Sequence, residues 1–366
     1  MKTQNKHRSI LPARIFALLL LTLLVATATL AQTGKIIREK VHGVSLEKTA
    51  TGEAADRSVT IYLPPSYDAA PTKRYPVVYL LHGIADSDET WTRGKGDWNS
   101  LQSVMDRSIA ESRFGEMIVV VPDQKTKWFG SFYVNSAATG NWEDFTAKEL
   151  VNYIDGKYRT LARAASRGIT GHSMGGYGAI TLGMKHPEVY SVVYGMNPAL
   201  IGWGGDLTIE NPAFQSVLKA KTFDELLPGG IYSIGILTVA QAFSPNPNKP
   251  PFFADFPFAM VDGKLQPAEP AYSRWQENFP VNMVGRHKDN LKKLKGLRFD
   301  SGYDDEFRFI PVNSRALSLA LTNQGIEHVF EEYNGDHRNR MWGRAGRFST
   351  EVMPYFWLLL ESEKKQ

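Results

Sequence analysis

The sequence contains no cysteine. Disulfide cross-links, a thiol nucleophile, a thiolate metal site and a lipidated N-terminal cysteine are all excluded by that one absence. A chain of 366 residues can do without cross-links, because the share of surface buried on folding rises with size. Histidine is sparse, with 8 in all. No H-E-x-x-H occurs, so no metal centre is expected. No phosphate-binding glycine loop or dinucleotide fingerprint follows a run that reads as a strand, so no cofactor is expected either. Asp86, Asp88 and Glu89 form one short acidic loop, read as solvated rather than as a cation site. Internal repeats and low-complexity tracts are missing.

An excess of charge is also lacking once the N-terminus is set apart. Lys2, Lys6, Arg8 and Arg14 lead into Ile15–Val25, which is apolar apart from Thr22, and small residues follow to Ala31. This pattern predicts a secretory signal peptide over residues 1–31, with a mature domain at 32–366, a secreted or periplasmic location and no stable membrane anchor after cleavage. Of the 42 Lys and Arg residues, four lie in that segment. The 38 that remain balance the 38 Asp and Glu residues. A nucleic-acid partner is not expected from a neutral chain without a basic stripe. The densest basic run, Arg286 to Lys295, reads as a solvated helix face.

What is present is an alternation of two periods. Residues 36–63 alternate apolar and polar positions, which predicts antiparallel strands at a sheet edge. Tyr75–Leu81, Met117–Val121 and Ser191–Tyr194 are short continuous apolar runs, as expected for parallel strands buried on both faces. Arg298-Phe299 and Val329-Phe330 are weaker examples. Helical patterns lie between them at 99–110, 142–158, 174–185, 312–324 and 350–360. Strands alternating with helices predict an α/β fold with a mostly parallel central sheet and helices on both faces. Residues 199–290 break the rhythm and read as an insertion with short helices of its own, packed over the sheet edge. Its phenylalanines, Phe252, Phe253, Phe256 and Phe258, are expected either to wall the site or to plug the insertion onto the core.

Gly171-His172-Ser173-Met174-Gly175 has the form G-x-S-x-G. A β-type Ile169-Thr170 precedes it and a helical pattern follows, which is the strand–turn–helix setting of a nucleophile elbow. Such an elbow belongs to the α/β-hydrolase fold, where chain order runs Ser, acid, His. Among the downstream histidines, His337 follows Asn334-Gly335-Asp336 in a late loop and is the expected base. His186 sits at the end of the elbow helix, His287 in the basic run and His328 in an apparent strand. The acid should follow the strand at 296–301. Asp304 and Asp305 both fit, Asp300 fits less well, and Asp336 reads as a turn cap. The N–H of Met174, next to the nucleophile, is one expected oxyanion donor. The N–H of Ile84, after Leu81-His82-Gly83, is the other.

Leu81-His82-Gly83, Gly140–Phe145, Gly171–Gly176 and Gly335-Asp336-His337 together resemble the esterase family of α/β-hydrolases that holds esterase D, feruloyl esterases and the antigen 85 mycolyltransferases. The resemblance spans roughly residues 58–360, apart from the insertion. It implies a triad of Ser173, His337 and an aspartate three positions after the strand-ending Gly302, which is Asp305. It also makes Trp128, Tyr133, Asn135 and Trp342 candidates for the pocket lining. The expected function is a secreted serine carboxylic ester hydrolase acting on feruloyl or acetyl esters, small or linked to polysaccharide. An acyltransferase of the antigen 85 type and a non-catalytic binding protein on a hydrolase scaffold are the alternatives.

Overall fold

The computed structural model describes residues 33–363, and the expected signal peptide lies outside them. Eight strands form one sheet: β1 (Lys35–His42), β2 (Asp56–Leu63), β3 (Val77–Leu81), β4 (Ile118–Pro122), β5 (Arg167–His172), β6 (Val192–Met196), β7 (Gly296–Gly302) and β8 (Val329–Tyr333). Their order is β1-β2-β4-β3-β5-β6-β7-β8. The β1–β2 and β2–β4 pairs are antiparallel and all the others parallel. The alternating N-terminal segment is therefore an edge, and the continuous apolar runs lie inside the sheet.

Strand β3 shows why a continuous run is needed there. Val77, Tyr79 and Leu81 join one buried cluster, while Val78 and Leu80 join a second on the opposite face. A two-residue period sends alternate side chains to opposite faces, so a strand covered on both sides has no place for a polar one. The first cluster is closed by α2 (Leu150–Lys157), α3 (Met174–Lys185) and α7 (Phe309–Asn323). The second is closed by α1 (Leu101–Ala110) and α8 (Met353–Leu359). Helix α1 buries Leu101, Val104 and Met105 at the i, i+3, i+4 spacing of a single face. Its start is set by Ser100, whose hydroxyl accepts from Ser103 N–H at 3.3 Å while the Ser103 hydroxyl accepts from Ser100 N–H at 3.1 Å. Losing such a cap costs about 1 kcal/mol.

The insertion contains helices α4 (Pro212–Lys219), α5 (Gly230–Phe243) and α6 (Ala271–Glu277), and a hairpin pairs Phe258–Val261 with Lys264–Pro267. It joins β6 to β7, two neighbours inside the sheet. The expectation that it packs over a sheet edge is therefore corrected: it follows the C-terminal end of an interior strand. Helix α5 is apolar almost all round its circumference, as a buried helix must be. It buries Ile236, Leu237, Val239, Ala240 and Phe243. The insertion has an aromatic core of its own, in which Trp203 stacks on both Tyr272 and Trp275 with centroids 5.6 Å apart. Phe258 packs against Trp203 and Phe214, and Phe252 against Trp128 and Phe256. Neither phenylalanine reaches the cavity over Ser173, so these rings plug the insertion onto the fold. No helix among the described residues is long and apolar enough to cross a membrane.

Candidate active site

Ser173 stands between β5 and α3 with φ 57° and ψ −118°. A non-glycine residue in that region is strained by roughly 1–3 kcal/mol and is held there by its surroundings. The surroundings are visible. Ser173 N–H donates to Met196 O at 3.1 Å, and its carbonyl accepts from Ala199 N–H at 2.9 Å. The flanking glycines are required by close approach. A Cβ on Gly171 would lie 2.4 Å from the Gly175 carbonyl, and one on Gly175 would lie 2.2 Å from Leu81 O. The turn is thus wedged against the end of β3.

The loops after β3, β7 and β8 converge on this elbow. The carboxylate of Asp305, fully buried, accepts from His337 Nδ1 at 2.8 Å through Oδ2 and from Phe307 N–H at 2.9 Å through Oδ1. The second bond is a local Asx-type turn that orients the acid. His337 is 2% exposed, and the ring of Phe307 meets it edge-on with centroids 4.9 Å apart. The Asp305 bond leaves Nε2 as the ring atom available to a second partner. Ser173, His172 and His337 line one cavity of about 540 Å³.

The other acidic candidates are placed elsewhere. Asp300 lies beneath the site, where Tyr194 OH donates to it at 2.7 Å and Arg347 at 2.9 and 3.0 Å. Burial pushes its carboxyl up, and Arg347 opposes that rise. Asp304 is exposed and is fixed through its N–H to Gly335 O. Asp336 caps a turn as expected, accepting from the N–H groups of Arg338 and Asn339 at 2.8 and 2.7 Å.

Ile84 and Met174 line the same cavity, and among the described residues their N–H groups have no protein acceptor. The peptide between Gly83 and Ile84 is aimed by His82. Gly83 O can only accept, so its 2.8 Å bond to His82 places a proton on Nδ1. Nε2 in turn accepts from Gln124 N–H at 2.8 Å. The ring is therefore neutral, in agreement with burial, which pushes its pKa down. With the carbonyl of a planar trans peptide turned toward His82, its N–H points the opposite way. The space there is tight: a Cβ on Gly83 would stand 3.5 Å from Ser173 Cβ.

Two further residues hold His337 and escaped sequence reasoning. His172 Nε2 donates to His337 O at 2.7 Å. Burial, and then the charge that His337 can carry, push the His172 pKa down to about 3, so it serves as a neutral donor. Asn197 is the second. Its amide donates to His337 O at 3.2 Å and to Tyr333 OH at 2.7 Å, and its Oδ1 accepts from Gly302 N–H at 2.6 Å.

Of the expected pocket residues, Trp342 lines the cavity, packed edge-on to Trp91. Trp128, Tyr133 and Asn135 do not, and that expectation is corrected. Trp128 is turned into Phe223 and Phe252. Tyr133 is 1% exposed and gives its hydroxyl to His82 O at 2.7 Å. Asn135 is exposed and closes a turn with Asp144. Much of the remaining wall comes from α5 and from Phe309 and Ile310. The acidic loop is also not simply solvated: Asp88 is buried and accepts from Thr60 Oγ1 at 2.7 Å. No cluster of metal-ligating side chains occurs among the described residues.

A serine elbow at the end of an interior parallel strand, met at one cavity by acid and histidine loops from β7 and β8, the last two strands of the sheet, defines the esterase type of α/β-hydrolase fold. Residues 52–345 match the model of the family described as "Putative esterase", and the chain belongs to that family. It is 28% identical over 155 residues to an endo-1,4-beta-xylanase/feruloyl esterase of Xylanibacter ruminicola, an alignment covering 41% of this chain and 21% of that one. It is 27% identical over 155 residues to endo-1,4-beta-xylanase Y of Acetivibrio thermocellus, covering 40% of this chain and 12% of that one. The match thus spans about a fifth or less of these relatives' lengths. Among solved structures, a ferulic acid esterase superposes with a TM-score of 0.62 at 23% identity, over 90% of this chain and 99% of the other. An S-formylglutathione hydrolase from Agrobacterium tumefaciens superposes with a TM-score of 0.56 at 16% identity, over 90% and 97%. At these identities the structural likeness is one of fold.

Proposed function

We propose that this protein is a secreted serine carboxylic ester hydrolase. The observation that carries the reading is the fully buried Asp305 bonded at 2.8 Å to His337, on the cavity into which Ser173 opens. In this mechanism Ser173 Oγ attacks the ester carbonyl carbon while its proton passes to His337 Nε2. Asp305 holds the ring and stabilises the imidazolium. The carbonyl oxygen becomes an oxyanion between the N–H groups of Ile84 and Met174, where each donor is worth roughly 10²–10³ in rate. The C–O bond to the alcohol breaks as His337 returns the proton to the leaving oxygen. Water then adds to the acyl-enzyme with His337 as base, the acid departs, and Ser173 regains its proton.

The N-terminal signal pattern supports export, and the names of the xylanase relatives make esters on plant polysaccharide a natural first substrate set, feruloyl and acetyl among them. A fluorophosphonate probe and a panel of acyl esters test the reading. Wild type should label at Ser173 and hydrolyse at least one ester, with Ser173→Ala falling by 10³-fold or more. An unlabelled Ser173 in folded protein, together with equal rates for wild type and Ser173→Ala, would overturn it.

A further inference from the structure

The cavity beside Ser173 has one wall whose side-chain hydrogen-bond donors are all engaged. We propose that this wall takes a saturated aliphatic acyl chain, with Gly235 setting how long a chain is accepted. The inference rests on the ester-hydrolase reading and names its acyl class.

The insertion and the segment after the acid loop supply Ile201, Leu207, Ile236, Val239, Phe309 and Ile310 to this wall. The polar atoms of the two amphipathic residues beside them are already engaged. Tyr232 OH donates to Asp206, and Trp275 Nε1 donates to Ser244 Oγ at 3.0 Å. A hydroxycinnamoyl ring would bring a phenol into this wall, where the oxygen of Tyr232, already donating to Asp206, is the acceptor left among these side chains, so the loss of its water is poorly repaid. An alkanoyl chain meets no such penalty. Each methylene that leaves water for such a wall is worth roughly a three- to fourfold gain in kcat/KM. At about 540 Å³ the cavity exceeds the needs of an acetyl group and lies in the range of drug-sized ligands.

The polar part of the lining indicates which half of the ester lies where. The leaving oxygen must reach His337 Nε2. Asp86, Thr90 and the exposed Arg338, next to His337, are among the remaining lining residues. The alcohol therefore departs along that side toward water, and the acyl chain occupies the insertion side.

Gly235 stands in the middle of α5 and lines the cavity, and a Cβ built there meets nothing within 4 Å. Its φ is not positive, so the backbone accepts any L-residue, and the helix would favour one over glycine. A side chain at 235 would project into open cavity.

The test is kcat/KM for p-nitrophenyl acetate, butyrate, octanoate and ferulate, and for a series of alkyl acetates, with wild type, Gly235→Ala and Gly235→Leu. Wild type should rise at least tenfold from acetate to octanoate, with ferulate below octanoate. Gly235→Leu should cut the octanoate-to-acetate ratio at least tenfold, with Gly235→Ala in between. Ferulate as the best substrate, an unchanged ratio in Gly235→Leu, or a length effect confined to the alkyl acetates would each overturn the acyl assignment while leaving the ester-hydrolase reading intact. No turnover of any ester and no phosphonate labelling would overturn both.

Discussion

Replacing Asn197 is expected to separate the stability of the fold from the alignment of its site. Asn197 is 2% exposed and follows β6 with φ 38°. Its side chain makes three bonds, to Gly302 N–H, Tyr333 OH and His337 O, at 2.6, 2.7 and 3.2 Å. Nearby Met196 and Ala199 frame the Ser173 backbone. One residue thus joins the elbow, the strand that leads to Asp305 and the loop that carries His337. Asn197→Ala removes three bonds worth about 1 kcal/mol each and orphans a buried N–H at Gly302. It also places alanine in a left-handed conformation, at about 1 kcal/mol more. A loss of roughly 3–5 kcal/mol follows, or about 4–7 °C in Tm for a domain of this size. Asn197→Gly loses the same bonds without the backbone strain and should be the milder of the two. Both variants should lose about 10- to 100-fold in kcat with KM within twofold, because a misplaced base slows chemistry without weakening ground-state binding. Ester kinetics well below Tm, set beside thermal unfolding, decide the matter. If Asn197→Gly unfolds several degrees early yet keeps wild-type kcat, the amide supports the fold alone and the positioning argument fails.

Two further outcomes are expected. Gly175→Ala places a methyl group 2.2 Å from Leu81 O, so the elbow or the end of β3 must shift. Activity should fall at least 100-fold with only partial loss of folded protein by circular dichroism, and an active Gly175→Ala would refute the close-packing account. The second concerns pH. Burial alone would raise Glu143, but its bonds to His186 and Lys185 bring it down to about 2. Burial alone would lower His186, but the bond to Glu143 at 2.9 Å and the bond to Glu188 leave it raised. The depressed carboxylate stabilises the fold above about pH 4.5, and that gain is lost as pH falls toward 2. The raised imidazole stabilises it below about pH 6.5, and that gain is lost as pH climbs through its folded value. Urea midpoints should therefore show the deficit of Glu143→Gln to be largest, at about 2–3 kcal/mol, between pH 4.5 and 6.5. A deficit that is flat from pH 3 to 9 would refute the coupling.

How much of the site could be read from sequence follows from the range of the interactions involved. The elbow was legible because Gly171, Ser173 and Gly175 are neighbours, and their constraint is a backbone turn that any strand–turn–helix of this kind needs. The alternation of periods located β1 and β2 together in one segment and five further strands as separate runs, and β5 declared itself by standing before the elbow. Asn197 and His172 were not legible. Each acts on His337 across more than a hundred residues of chain, and nothing nearby in sequence marks an asparagine as a hub. Trp128 and Tyr133 were misplaced for a related reason. A large aromatic residue beside a loop is equally suited to lining a cavity and to filling a core. Only the presence of Phe223 and of the His82 carbonyl opposite them decides for the core. The phenylalanines at 252–258 were undecidable on the same ground: they plug the insertion, and α5 supplies much of the wall.

The insertion also does more than cover the cavity. Asp206, near its start, accepts from the N–H groups of Arg308 and Phe309 at 3.1 and 2.9 Å and from Tyr232 OH. Arg308 and Phe309 open α7, so Asp206 gives a carboxylate to a helix N-terminus, where unsatisfied N–H groups and the helix dipole favour negative charge. The same helix start follows directly on the turn in which Asp305 accepts from Phe307 N–H at 2.9 Å. One carboxylate therefore pins three things: the first turn of α5 through Tyr232, the start of α7, and through it the segment that presents the acid to His337. An acyl chain that displaces α5 would pull on Tyr232 and so on the anchor of the Asp305 turn. The insertion and the acid–histidine pair thus share one anchor. Gly235 shares α5 with Tyr232 but has no side chain of its own, so a substitution there removes no bond to this anchor.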